Sequence, residues 1–187
     1  MAPGRLETLN RALAERPYQG LAIVCPHAPD FTAPSRDAAL PAYGAWLAGA
    51  LRSRVGAVVP LSGRTGIDGV SMGGRMALRL GLGPGSPFDA VGSLQAAVRQ
   101  GEAPALVAAA KEALGARQGG LPLRLLTSEG DYFRAALGGL HDELQRAGVA
   151  HEHLVVAGPH DYQFNRGPGA IEMLLWHDRV LRGLPGV

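Results

Sequence analysis

Along the chain, short unbroken apolar runs alternate with longer stretches whose apolar residues recur every three or four positions. The first long stretch, residues 6–16, sets Leu6, Leu9 and Leu13 at helical spacing and stops at Pro17. Residues 21–25, Leu-Ala-Ile-Val-Cys, form a short run ending at Pro26, which predicts a buried strand with Cys25 as inert core. A proline-rich loop over 26–35 follows, and Asp37 is placed to cap the next helix. That helix carries Leu40, Tyr43, Trp46, Leu47 and Leu51 on one face. Further on, the pattern predicts strands over 67–70, 88–94, 121–127 and 152–157. Between and after them it predicts helices over 74–82, 102–116, 132–147 and 170–181.

Repeated strand-then-helix order means parallel strands joined by crossovers. The expected fold is therefore α/β: an open, mostly parallel sheet with helices on both faces, in a compact version. No linker or repeat divides the chain, so residues 1–187 are expected to form one domain. With 47% hydrophobic residues and a net charge of +2, the chain has the apolar content to fold without staples. A single cysteine excludes a disulfide scaffold.

Charge points to no macromolecular partner. Lys111 is the sole lysine, and the arginines are scattered singly with no basic run among aromatics, so no nucleic acid is expected. No apolar stretch approaches the roughly 18–20 residues of a membrane span, and the first residues have no apolar signal core. The expectation is a cytoplasmic protein that does not engage a membrane.

In open parallel sheets the working residues sit just beyond the carboxyl ends of the strands. The strand at 67–70 exits into Gly69-Val70-Ser71-Met72-Gly73-Gly74, which matches G-x-S-x-G. Such a turn lifts the serine hydroxyl out of the sheet, and glycines two before and two after it avoid neighbouring backbone. The Met72 N–H, at the start of a helix, is placed to meet an oxyanion. A glycine-rich turn without chemistry gives the same pattern, so the other exits decide between the two.

The strand at 121–127 exits into Ser128-Glu-Gly-Asp131, and that at 152–157 into Gly158-Pro-His160-Asp161. A serine nucleophile needs a base within reach and a carboxylate to fix the base's tautomer. The order Ser71, Asp131, His160 supplies all three. Asp131 is also placed to cap the following helix, Glu129 is a rival acid, and Asp161 is read as shaping its loop. Of the other histidines, His27 follows an apolar run and is able to face the site. His141, His151, His153 and His177 read as surface or packing residues. No metal-ligand spacing, dinucleotide fingerprint or phosphate loop occurs, so neither metal nor cofactor is expected.

With elbow and triad in view, the chain resembles the esterase-D-like branch of the α/β-hydrolases. The resemblance is carried by Arg64-Thr-Gly-Ile-Asp-Gly-Val-Ser-Met-Gly-Gly-Arg-Met-Ala-Leu78, by Phe88-Asp-Ala-Val-Gly-Ser93 and by the His160 loop, and it spans about residues 18–183. It implies Ser71 as nucleophile, Asp131 as acid and His160 as base, acting on small or short-acyl carboxylic esters through an acyl-enzyme. Thioester hydrolysis or acyl transfer with the same triad, and a non-catalytic binding module on this fold, are the alternatives. The family's first strands are expected to be absent, and with them the glycine loop that supplies a second oxyanion N–H. The N–H groups of His27 and Ala28 are then the candidates to replace it. The run at 21–25 would become an exposed sheet edge, paired in a homodimer or covered by the first helix.

Overall fold

The computed structural model describes residues 4–28, 36–117 and 119–187. Residues 29–35 of the loop expected over 26–35, and the side chain of Asp37, lie outside them. By compactness the chain divides into two units, one made of Met1–Gln19 with Thr65–Val187, the other of Gly20–Arg64.

The first unit opens with α1 (Arg5–Glu15) and then holds β1 (Gly66–Ile67), α4 (Met72–Gly81), β2 (Ala90–Leu94), α5 (Ala103–Gly115) and β3 (Leu123–Gly130). It continues with α6 (Arg134–Arg146), β4 (Glu152–Pro159), α7 (Tyr162–Arg166) and α8 (Pro168–Leu181). The four strands pair in parallel in chain order, β1-β2-β3-β4. Parallel pairing places every carboxyl end on one rim of the sheet, and the crossovers cover both faces. Alternate residues accordingly go to two cores. Val91, Leu123 and Leu125 pack with Leu78, Leu106, Leu137 and Leu140, from helices α4, α5 and α6. On the other face Leu94, Leu126 and Val156 pack with Phe164, and Ala90 with Trp176 and Val180, from α7 and α8. Because both faces are covered, β2 is buried at every position. The expected α/β arrangement is present.

Helix α1 is fastened by charge. Arg5 forms an ion pair with Glu172 of α8, and its guanidinium also donates to the Val187 carbonyl at 2.8 Å. Buried Arg124 of β3 donates to the same Glu172 carboxylate at 3.1 Å. Arg179 and Arg182 add bonds to the Ala12 and Pro17 carbonyls, so α8 holds the N-terminal segment along its length.

Two expected strands change. Residues 21–25 form no strand; Ile23, Val24 and Cys25 are exposed, and Cys25 is not core. An apolar run becomes a strand only where a ladder partner satisfies its backbone, and none pairs with it among the described residues. The edges of the sheet are β1 and β4. The strand expected over 67–70 shortens to Gly66–Ile67, with an isolated bridge from Val70 to Leu94. Between them the Asp68 carboxylate lies against Gly92, where a Cβ would stand 2.0 Å from Oδ2, and it accepts the His177 Nε2–H at 2.9 Å. That pair occupies the gap in the ladder. Two strands instead run longer than expected, β3 to Gly130 and β4 to Pro159.

In the second unit, residues 20–28 are irregular and the segment from Arg36 to Gly56 is helical. Helix α2 (Arg36–Trp46) runs through a π turn (Leu47–Leu51) into α3 (Arg52–Gly56). Tyr43 stacks on Trp46, and the Arg52 guanidinium donates to the Gly63 carbonyl at 2.6 Å. Among the described residues no helix is long and apolar enough to cross a membrane.

His141, His151 and His153 gather where α6 meets the start of β4. His151 Nδ1–H donates to the Val149 carbonyl at 2.8 Å, so its Nε2 accepts from His141 Nδ1–H at 2.8 Å. His153 stacks on His141 with its Nε2 buried and unpartnered. Burial first, then the neighbouring His141 and His151, hold the His153 pKa below its ordinary 6.5, against a smaller opposing pull from Asp142. A histidine that resists protonation only when folded leaves stability intact above pH 6.5 and removes it as pH falls below that value. The urea midpoint is expected to drop between pH 7.5 and 5.5, and His153→Leu to flatten that drop. An equal slope in both proteins would contradict the assignment.

Candidate active site

Ser71 follows the Val70 bridge, at the carboxyl end of the first strand and at the N-cap of α4, with φ 56° and ψ −116°. Only Ser71 and Gln95 have positive φ among the described non-glycine residues. A side chain in that region costs free energy and persists only where surrounding contacts fix it. Here the Ser71 N–H donates to the Leu94 carbonyl at 2.9 Å, and the Ser71 carbonyl accepts from Ala97 N–H at 2.9 Å. The serine is thus clamped at both backbone atoms by the exit of β2. Its hydroxyl does not cap the helix.

Steric need assigns the elbow glycines differently from the motif. A Cβ on Gly69 would lie 2.4 Å from the carbonyl carbon and oxygen of Gly73, so no side chain fits. At Gly73 a Cβ meets nothing within 4 Å. The second close approach is at Gly74, where a Cβ would come within 2.8 Å of the Gly69 oxygen and 3.1 Å of Ala96. The expectation that Gly73 avoids backbone is therefore corrected: Gly69 and Gly74 are the pair that lets α4 pack on the turn.

Met72 begins α4, so its N–H is among those without an intrahelical acceptor. The Gly73 N–H is occupied by the Val70 carbonyl at 2.8 Å. His27 and Ala28 lie in irregular, exposed chain of the other unit.

Asp131 and His160 follow directly on β3 and β4. The Asp131 carboxylate is fully buried and accepts three donors: Thr127 Oγ1 at 2.6 Å, the Phe133 N–H at 2.9 Å and His160 Nδ1–H at 2.7 Å. It therefore both caps the turn into α6 and holds the imidazole. With Nδ1 committed, Nε2 is the atom left to exchange a proton. Among the described residues no hydrogen bond joins the Ser71 hydroxyl to His160. Tyr132, largely exposed, stacks on the imidazole with centroids 4.2 Å apart and donates its hydroxyl to the His160 carbonyl at 3.2 Å. Phe133 meets the ring edge-on.

The rival groups lie elsewhere. Glu129 is exposed, Asp161 caps α7 by accepting the Phe164 N–H at 2.7 Å, and His177 is paired with Asp68. No cluster of three or more His, Cys, Asp or Glu among the described residues is arranged to hold a metal ion. Sequence reasoning missed Thr127, Tyr132 and Gln95. Gln95 carried the clearest signal, a lone amide between apolar Leu94 and Ala96-Ala97-Val98.

This arrangement is that of the α/β-hydrolase fold. The structure is similar to S-formylglutathione hydrolase from Staphylococcus aureus, with TM-score 0.56 and 18% identity over 74% of this chain and 65% of that one. It is similar to a ferulic acid esterase, with TM-score 0.59 and 16% identity over 74% and 61%. A siderophore hydrolase from Aspergillus nidulans aligns over 94% of this chain and 77% of its own, with TM-score 0.57 and 17% identity. The chain thus spans less than two thirds of the length of the first two. No protein-family profile and no curated sequence matches it.

Gly69→Ala is expected to lower the unfolding midpoint sharply, because the added methyl has only backbone to displace. Gly73→Ala is expected to raise stability by about 0.5–1 kcal/mol, since it adds helix propensity in open space. Thermal unfolding of the two variants checks both signs, and equal losses would refute the assignment.

Proposed function

We propose that the protein is a serine hydrolase acting on small or short-acyl carboxylic esters through an acyl-enzyme. The observation that carries this reading is the buried Asp131 bond to His160 Nδ1, on the same sheet rim as a serine held at φ 56°. That bond leaves Nε2 as the base. His160 takes the Ser71 proton as the hydroxyl attacks the ester carbonyl, and the Met72 N–H at the helix start receives the developing oxyanion. His160 then returns the proton to the leaving alcohol. Water deprotonated by the same nitrogen then attacks the acyl carbon, the bond to Ser71 Oγ breaks with return of that proton to the serine, and the acid is freed. The fold shared with S-formylglutathione hydrolase, ferulic acid esterase and siderophore hydrolase structures supports ester or thioester carbonyl chemistry in general.

Hydrolysis of p-nitrophenyl acetate and butyrate tests this, beside labelling with a fluorophosphonate probe. The wild type is expected to turn over and to label, whereas Ser71→Ala loses at least about 10³-fold in kcat and all labelling. A wild-type protein that neither hydrolyses nor labels would end the reading.

A further inference from the structure

Ser71 and His160 come from the two outer strands of a four-stranded sheet. At about 4.8 Å per strand, three spacings set those strands roughly 14 Å apart across the sheet. Bringing nucleophile and base together therefore depends on what spans the rim above β2 and β3. One short segment does so, Leu94 to Ala97 at the exit of β2. Its backbone clamps Ser71, through the Leu94 carbonyl and the Ala97 N–H. Its one polar side chain, Gln95, reaches the opposite way. Gln95 Nε2 donates to Ser128 Oγ of β3 at 2.6 Å and to the Pro159 carbonyl of β4 at 2.9 Å. Pro159 directly precedes His160, and the Ser128 carbonyl accepts the Asp131 N–H at 3.2 Å.

Gln95 is held there against its own preferences. Its φ is 48°, it has no exposed surface, and its Oε1 is buried without a partner. A strained backbone and an unpaired buried carbonyl are kept only where other contacts over-determine them. The orientation of the amide follows from chemistry. Pro159 O is an acceptor only, so the atom facing it must be the nitrogen. Both amide hydrogens are then spent, one on each of the strands that carry the acid and the base. Ser128 Oγ, which receives one of them, donates its own hydrogen bond to the same Pro159 carbonyl at 3.3 Å.

We propose that Gln95 is the positioning residue that sets the distance between the Ser71 elbow and the His160 loop, and so governs proton transfer rather than substrate binding. This rests on the serine-hydrolase reading above. Misplacing a reacting group by about 1 Å costs on the order of 10²-fold in rate.

Two variants separate the amide from the strain. Gln95→Met keeps length and volume without a donor, and Gln95→Gly accepts φ 48° with no side chain at all. Both are expected to lose about 10²-fold in kcat for p-nitrophenyl acetate with KM within twofold, and to label with fluorophosphonate more slowly by the same factor. Ser128→Ala, which leaves the bond to Pro159, is expected to lose less than about threefold, because only the shared branch is removed. A second readout needs no turnover. In protein carrying 13C-labelled histidine, Gln95→Met is expected to move the His160 ring resonances and leave those of His141, His151, His153 and His177 in place. Unmoved His160 resonances, unchanged kcat, or a loss confined to KM would each overturn the proposal. A wild type without activity, whose His160 resonances still respond to Gln95→Met, would overturn the hydrolase reading and leave the positioning of His160 by Gln95 standing.

Discussion

A carboxylate taken wholly out of water is tolerable only when hydrogen-bond donors surround it, and Asp131 is such a group. Its three donors come from three places: a hydroxyl within β3, the first turn toward α6 and the imidazole after β4. Satisfying one buried charge thus fixes where a strand ends, where a helix begins and how the neighbouring loop lies. The neighbouring strands depend on this junction, because β3 and β4 pair through Ser128 and again, beyond an irregularity, through Gly130 and Pro159. The imidazole then has one rotamer and one free nitrogen. Tyr132 closes over the ring from the outside and ties down its carbonyl.

The other half of the site is arranged on a different principle. Ser71 has no buried charge to hold it and is kept in place by backbone alone, through two hydrogen bonds to the β2 exit and a contact so close that Gly69 and Gly74 admit no side chain. A polar junction on one side and a steric one on the other meet at Leu94–Ala97. Away from the site, the Arg5–Glu172–Arg124 network does comparable work for the N-terminal helix, which is fastened by charge because it contributes just one fully buried residue, Leu9.

Much of this was legible in the chain because it is local. Helix ends followed glycine and proline, the strands carried short clusters of apolar residues, and the residues after the first, third and fourth strands carried the hydroxyl, carboxylate and imidazole. What stayed hidden depends on partners distant in sequence. The run at 21–25 has the composition of a strand, but composition does not name the strand that must pair with it. Gly73 fits the motif letter for letter, yet the backbone approach falls on Gly74, since it depends on how Ala96 packs. The Asp68–His177 pair joins residues 109 apart, so nothing around Ile67 announces that its ladder will be interrupted. Gln95 went unread, because a lone amide in an apolar run takes its meaning only from the folded rim.

Of the two non-glycine residues at positive φ among the described residues, Ser71 is the one where glycine relieves backbone strain alone; at Gln95 the exchange would also empty a buried side-chain site and break two hydrogen bonds. Drift under selection for foldedness alone would therefore favour glycine at 71 first. The protein would gain robustness by erasing the residue proposed as its nucleophile. Persistence of serine at that position, across whatever descendants this chain has, would be a record of selection for turnover that no measure of stability can supply.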